Sequence, residues 1–277
     1  MCIRDRDNRP DIASAEVAEV VALLDTIGPL PDTRKAEVAL VYDYADHWAH
    51  QIQPQGASFR HDELTLLYYS ALRAMGLDVD IISPKADMRG YKMICLPSSP
   101  LLSQTHLDAL MASGAHLIFG PRTGSKTHDF QVPETLAPGP LQTLIPIQVT
   151  RVESLRPGYE SGDTGFQISR WREDIESATL SAPNGPIWQT NTASYISAWI
   201  SQADLNTVFR DRLTKQGVSS TELPAGLRLR RRGDLIFVMN YGAALDAADL
   251  LNIVGTASCL SGRHPCKPGD IGIYRTA

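Results

Sequence analysis

An α/β fold, with a mostly parallel sheet flanked by helices and a small antiparallel β domain after it, is what this sequence predicts. Three observations carry that reading. Residues 36–42 form a near-continuous apolar run, as a strand buried on both faces requires. From there to residue 119, segments of helical and strand period alternate with short links. Beyond residue 222 the pattern turns to short strands, two of which flank Gly233-Asp234 as a hairpin.

The elements follow in order. Residues 11–27 have Ala15, Val17, Ala18, Val21, Leu24 and Ile27 at helical spacing, Ser14 as N-cap, and Gly28-Pro29 and Pro31 as the stop. After the strand at 36–42, Leu64, Leu67, Tyr68, Ala71, Leu72 and Met75 mark one face of a helix over 62–75, ended by Gly76. Strands are expected at 79–82 and 91–96, the latter stopped by Pro97. Ser103 caps a helix running to Met111, Gly114 closes it, and a strand over 115–119 ends at Gly120. From Ile147 the rhythm changes to short strands at 148–153, 166–171, 178–180, 187–189 and 194–200, then a helix over 205–215. The tail is read as strands at 227–232, 235–241, 248–253 and 271–275, with a boundary near 219–223.

Composition narrows the function. A chain that is 43% hydrophobic and 21% charged is an ordinary globular protein. Its net charge of −5, without a basic stripe, argues against nucleic acid as a partner. Its longest apolar runs are too short for a membrane span, and no signal peptide opens it. Cys2, Cys95, Cys259 and Cys266 are too scattered for a disulfide framework. Pairing of Cys259 with Cys266, or a metal held by both with His264, is a minor reading. Cys95 lies in a predicted strand and reads as a small buried hydrophobe. Arg232-Gly233-Asp234 reads as a turn, and Arg228, Arg230 and Arg232 as a solvated edge or domain contact.

In such a sheet, ligands sit at the carboxyl ends of the strands. Two polar segments fall there. Residues 43–60 hold Asp43, Asp46, His47, Trp48, His50 and Arg60, read as a long contact loop, with a metal site as the lesser reading. Residues 120–127 fail the spacing of a phosphate loop, although an anion nest with Arg122 and Lys126 stays open. Gly120-Pro121-Arg122-Thr123-Gly124 has the spacing of a strand-to-helix nucleophile elbow, with an arginine at its tip. The sheet order resembles the class I glutamine amidotransferase and flavodoxin-like folds, and the amidotransferases have a cysteine at that elbow. No residue of this chain stands out as catalytic, cofactor-binding or metal-ligating.

A longer series of motifs is familiar as a set. Phe59-Arg60-His61-Asp62-Glu63 leads into Leu67-Tyr68-Tyr69-Ser70-Ala71-Leu72, then Gly76-Leu77-Asp78-Val79-Asp80, Ala86-Asp87-Met88-Arg89-Gly90-Tyr91-Lys92 and Leu96-Pro97. Phe119-Gly120-Pro121-Arg122-Thr123-Gly124-Ser125-Lys126 and Pro138-Gly139-Pro140-Leu141 follow. This order, with Asp43-Tyr44 and Trp48 ahead of it, resembles the trimerisation domain of the family 42 glycoside hydrolases, which are β-galactosidases. Leu223-Pro224-Ala225-Gly226-Leu227, Arg231-Arg232-Gly233 and Phe237-Val238-Met239-Asn240-Tyr241 resemble that family's small C-terminal β domain. Pro146 and the stretch 154–193 depart from the pattern.

The resemblance implies a division of the chain. Residues 1–10 are expected to be an adapter-derived or disordered start, because MCIRDR does not read as a natural beginning. Residues 11–33 are expected to be the last helix and linker of a missing barrel, 34–220 the trimerisation domain, and 221–277 the β domain. It implies a cytoplasmic homotrimer without a cofactor, whose barrel binds and hydrolyses terminal β-D-galactosides with retention. Both catalytic glutamates lie on that barrel, so this chain alone is expected to be inactive. The subunit contact is expected on 43–60 and 120–130, with Trp48, Phe59 and Phe130 as anchors and Arg60 and Arg122 as directional donors. The alternative is a free-standing amidotransferase-like or small-ligand-binding α/β domain. A carbohydrate-binding module is a weaker third, since Trp48, Trp171, Trp188 and Trp199 fall on separate elements.

Overall fold

The computed structural model describes residues 7–159, 165–181, 183 and 185–276. The residues of MCIRDR, expected to be foreign, lie outside them. The chain forms two compact units: Lys35–Glu222, and the chain up to Arg34 together with the chain from Leu223 onward. In chain order the elements are α1 (Ile12–Ile27), β1 (Val38–Val41), α2 (Tyr44–Ile52), α3 (His61–Ala74), β2 (Val79–Ile82), β3 (Met93–Leu96), α4 (Gln104–Ala112) and β4 (His116–Phe119). Then come β5 (Gln148–Ser154), β6 (Ile168–Glu176), β7 (Ile187–Gln189), β8 (Ala193–Ile196), β9 (Ala198–Ile200) and α5 (Gln202–Lys215). Last are β10 (Leu227–Arg232), β11 (Leu235–Asn240), α6 (Ala247–Val254), β12 (Ser258–Ser261) and β13 (Ile271–Arg275).

The larger unit is built on a six-stranded sheet of order β2-β1-β3-β4-β8-β7. All neighbours run parallel except β7, which is antiparallel to β8. The apolar run of β1 is explained by its two faces. Val38 and Leu40 share a core with Leu64, Tyr68 and Leu72 of α3 and Leu205 and Phe209 of α5. Ala39 and Val41 share the opposite core with Leu107 and Leu110 of α4. Alternate side chains point to opposite faces, so a strand covered by helices on both sides must be apolar throughout. A second, three-stranded antiparallel sheet has the order β5-β6-β9.

The smaller unit is a four-stranded antiparallel sheet of order β10-β11-β13-β12 with α1 and α6. The hairpin β10-β11 turns at Gly233, whose φ of 59° suits glycine. α1 is fastened at its end: Ile27 is buried with Leu235 and Ile273, and its carbonyl accepts from Arg275.

Several elements differ from expectation. The contact loop expected over 43–60 contains helix α2, started by the Asp43 carboxylate accepting from the Ala45 amide. Its inward residues include Asp46 and His50, while its apolar period, Tyr44, Trp48 and Ile52, lies on the outer face. The strand expected at 248–253 is helix α6, where Asp246 and Asp249 form a reciprocal capping box. The edge strand is instead β12. Residues 178–180 are bends, not a strand. The strand expected at 194–200 is broken at Ser197 into β8 and β9, which join different sheets. Cys259 and Cys266 are free thiols rather than a pair. Cys95 is fully buried in the sheet, and burial pushes its thiol well up. Among the described residues no helix is long and apolar enough to cross a membrane.

Candidate functional site

The carboxyl ends of β1, β3 and β4 converge on the segment after Phe119. Two glycines allow the close approach. A Cβ at Gly120 would stand 1.8 Å from the Pro97 carbonyl oxygen, and one at Gly124, where φ is 64°, 1.9 Å from that of Pro138. Between them Arg122 has a φ of 67°, a left-handed backbone for a bulky residue. The segment after β4 is thus a tight turn with Arg122 at its tip, and no helix follows it directly.

The Arg122 side chain turns inward and is 2% exposed. Its two terminal nitrogens donate to the carbonyls of Gln53 and Pro54, both at 2.9 Å, just beyond the last turn of α2. The guanidinium lies over the rings of Phe59 and Trp171, 4.8 and 5.1 Å from their centroids. Burial lowers its pKa to about 10, so it stays charged at neutral pH. Below it sits Glu173, itself buried. One carboxylate oxygen accepts from the Arg122 amide at 2.7 Å and the Trp171 indole at 3.0 Å, and the other from the Tyr195 hydroxyl at 2.6 Å. Burial raises the Glu173 pKa, while these donors and the Arg122 charge hold it back.

A second polar group adjoins the first. Ser98 donates through Oγ to the Pro121 carbonyl at 2.7 Å, and so must accept from His50 Nε2 at 2.9 Å. His61 Nε2 lies 3.1 Å from the Ser98 carbonyl, which can only accept. Both rings are therefore protonated on Nε2 and bare on Nδ1. The Asp46 carboxylate accepts from Ser99 Oγ at 2.6 Å and the Leu101 amide at 3.0 Å. A serine beside a histidine is the start of a hydrolytic pair. Here the serine is buried and its proton is held by a carbonyl, so the pair is structural.

The titration of these groups predicts a pH dependence. Burial, then the charge of Arg122, holds His50 down to about 2; burial holds His61 down to about 4. Each contributes stability that is complete above its ordinary 6.5 and is lost as the pH falls towards its folded value. Asp46 acts oppositely: burial raises it from 3.8 to about 7, so its contribution is lost as pH rises through that window. His116, which burial holds down to about 4, adds to the two histidines, while Glu173, raised by burial, opposes them with Asp46; with three histidines against two carboxyls, the urea midpoint of the larger unit should rise from about pH 5 to about pH 7. Asp46→Asn should steepen the rise; a flatter profile in that variant contradicts the assignment.

Of the residues expected at a subunit contact, Trp48 is 58% exposed, Arg60 is exposed beside Asp62, and Phe130 is half-buried. Phe59 and Arg122 are placed differently. Both are buried inside the larger unit, because the carbonyls of Gln53 and Pro54 and the ring of Trp171 supply the partners that a second subunit was expected to offer. The anion nest is also overturned: the Gly124 and Lys126 amides donate to the carbonyls of Ser99 and Pro100. Asp43 and Asp46 are engaged in capping and in the Ser99 contact, away from any metal role. The sequence reading missed Glu173, Tyr195 and Ser98. The one signal for Glu173 is its place two residues after Trp171, on the same face of β6.

Comparison with known proteins then gives the relationship. The model of the β-galactosidase trimerisation domain matches residues 36–219. Beta-galactosidase BgaA of a Thermus species is 38% identical over 280 residues, covering 98% of this chain and 43% of that protein. Beta-galactosidase Bga of Halorubrum lacusprofundi is 29% identical, covering 86% and 39%. Among solved structures, the β-galactosidase of the psychrophilic Marinomonas ef1 superposes with a TM-score of 0.88 at 28% identity, over 98% of this chain and 43% of that one. The chain thus spans less than half the length of the curated relatives it matches.

Proposed function

The chain belongs to the β-galactosidase trimerisation-domain family, and on that premise we propose that it is an assembly region of a β-galactosidase, not the part that performs hydrolysis. On this reading terminal β-D-galactosides are cleaved, with retention, by a part of the whole protein outside these residues, which supplies both carboxylates the reaction needs. The observation that carries it is the tight turn after β4. Its tip holds Arg122, buried and committed to the carbonyls of Gln53 and Pro54, where a covalent catalyst of this layout needs an exposed nucleophile. The larger unit is then an amidotransferase-like or flavodoxin-like sheet whose reactive position serves structure. α1 is the closing helix of a preceding barrel, a reading supported by its exposed Val17, Val20, Val21 and Leu24. The whole works in the cytoplasm without a cofactor.

Self-association is assigned to the outer face of α2. Tyr44, Trp48 and Ile52 recur every fourth residue and are 64%, 58% and 66% exposed, an apolar stripe on one side of the helix. Arg60 and Phe130 are assigned to the same contact. Sedimentation velocity on the 277-residue chain tests this. Trp48→Ala with Ile52→Ala should weaken trimer formation by about tenfold or more, since large aromatic anchors dominate such contacts. Leu66→Ala, also on an exposed apolar residue but on α3, should not. An unchanged distribution in the double variant places the interface elsewhere.

A further inference from the structure

We propose that the cleft between residues 57–63, the end of β5 and the start of β6 is a binding site for a small phosphate monoester, held by Arg156, Arg170 and Ser169. The cleft measures about 490 Å³, and its wall also includes Ser58, Arg60 and Glu63. It lies wholly within Lys35–Glu222, and the inference goes beyond the assembly role without resting on it.

A break in β6 builds the wall. A strand sends alternate side chains to opposite faces, yet Ile168 and Trp171 are both buried with two residues between them. The pairing of β6 with β9 shifts register between Ser169 and Arg172, and Arg170 has a φ of 58°. This is a β-bulge at a left-handed residue, a backbone that costs free energy for a long side chain and re-aims it. Its result is that Ser169 and Arg170 both line the cleft. Arg170 is held in place there. Its guanidinium lies 4.5 Å from the centroid of the Trp199 ring, and Nη1 donates to the Ser58 carbonyl at 3.2 Å and to the Glu63 carboxylate. Its Nε and Nη2 meet no partner among the described residues.

The groups left open select the ligand. Arg156, just past β5, is exposed, and its guanidinium has no hydrogen-bonding or ionic partner among the described residues. The Ser169 hydroxyl, half-buried, is likewise unengaged among them. Arg60 is offset by Asp62 and Arg170 by Glu63, so Arg156 leaves the cleft net positive. The open side chains can all donate and the carboxylate of the wall is tied to Arg170, which fits an anion. Two planar guanidinium forks suit the several acceptor oxygens of a phosphoryl group better than a single carboxylate. The volume lies in the lower half of the range for ligand sites, so it admits a few carbons beside the phosphate, and inorganic phosphate fills it incompletely.

Phosphorus NMR titration of the full chain at low ionic strength, where exposed charges are least screened, tests the site. The probes are glycerol phosphate and inorganic phosphate, with acetate as competitor. Glycerol phosphate is expected to bind with a Kd of about 1 mM or tighter, about threefold or more ahead of inorganic phosphate, and acetate is expected not to displace it. Arg156→Gln, a change to an exposed side chain, should weaken binding by about tenfold. Arg263→Gln removes an equally exposed charge from the smaller unit and should leave binding unchanged. Trp48→Ala with Ile52→Ala should also leave it unchanged, so a failure of the assembly reading and a failure of this one are separable. No binding up to about 10 mM, equal losses in the two arginine variants, or inorganic phosphate or acetate matching the ester overturns the proposal.

Discussion

Glu173→Ala should destabilise the larger unit by about 3–5 kcal/mol, the range for removing one partner from a buried charged network. The carboxylate accepts from the Arg122 amide, the Trp171 indole and the Tyr195 hydroxyl, all within the protein interior. Truncation leaves those donors without a partner and leaves the buried Arg122 guanidinium without its nearest countercharge. Glu173→Gln keeps the volume and an acceptor oxygen, and Tyr195 can accept from the new amide, so its cost should be about 1–2 kcal/mol. Urea unfolding followed by tryptophan fluorescence is the measurement. All four tryptophans, Trp48, Trp171, Trp188 and Trp199, lie in Lys35–Glu222, so the signal reports on that unit alone. Equal midpoints for the two variants would falsify the view that Glu173 acts as an acceptor and not merely as packing.

Gly120→Ala is expected to be as severe, for a steric reason. The new Cβ would stand 1.8 Å from the Pro97 oxygen, 2.7 Å from its carbonyl carbon and 2.9 Å from the Tyr68 hydroxyl. The first two are backbone atoms, which cannot swing aside as a side-chain end can. Relief requires β3 and β4 to part just where Gly120 donates to the Leu96 carbonyl. A loss above about 3 kcal/mol, or failure to accumulate folded protein, is the expected outcome. Gly114→Ala separates sterics from backbone strain. That glycine has a φ of 72° but open space around it, so its cost should be about 1 kcal/mol. Comparable losses at the two positions would contradict the steric account.

The sequence by itself determined the elements whose signal is local. The apolar run of β1, the face of α3 marked by Leu64, Tyr68 and Leu72, and the Gly233 hairpin are each set by neighbours a few residues away. The ordered motifs likewise carried the family relationship, because they follow the same chain order. Tertiary structure decided the rest. α2 inverts the usual pattern: its apolar period of Tyr44, Trp48 and Ile52 faces outward, and its inward side holds Asp46 and His50, which are satisfied by Ser99 and Ser98, about fifty positions along the chain. Arg122 and Phe59 looked like surface anchors because a long cation and an aromatic suit an interface. They are interior because Gln53, Pro54 and Trp171 arrive from distant segments to receive them. Glu173 sits in a charged stretch that reads as solvated, and only folding brings Arg122 and Tyr195 to it. Apolar periodicity tells which face of an element is dry. Whether a polar group is buried depends on partners that local sequence does not name, and at the carboxyl ends of these strands most of those partners, from Ser98 and Ser99 to Arg122 and Tyr195, are supplied by tertiary structure.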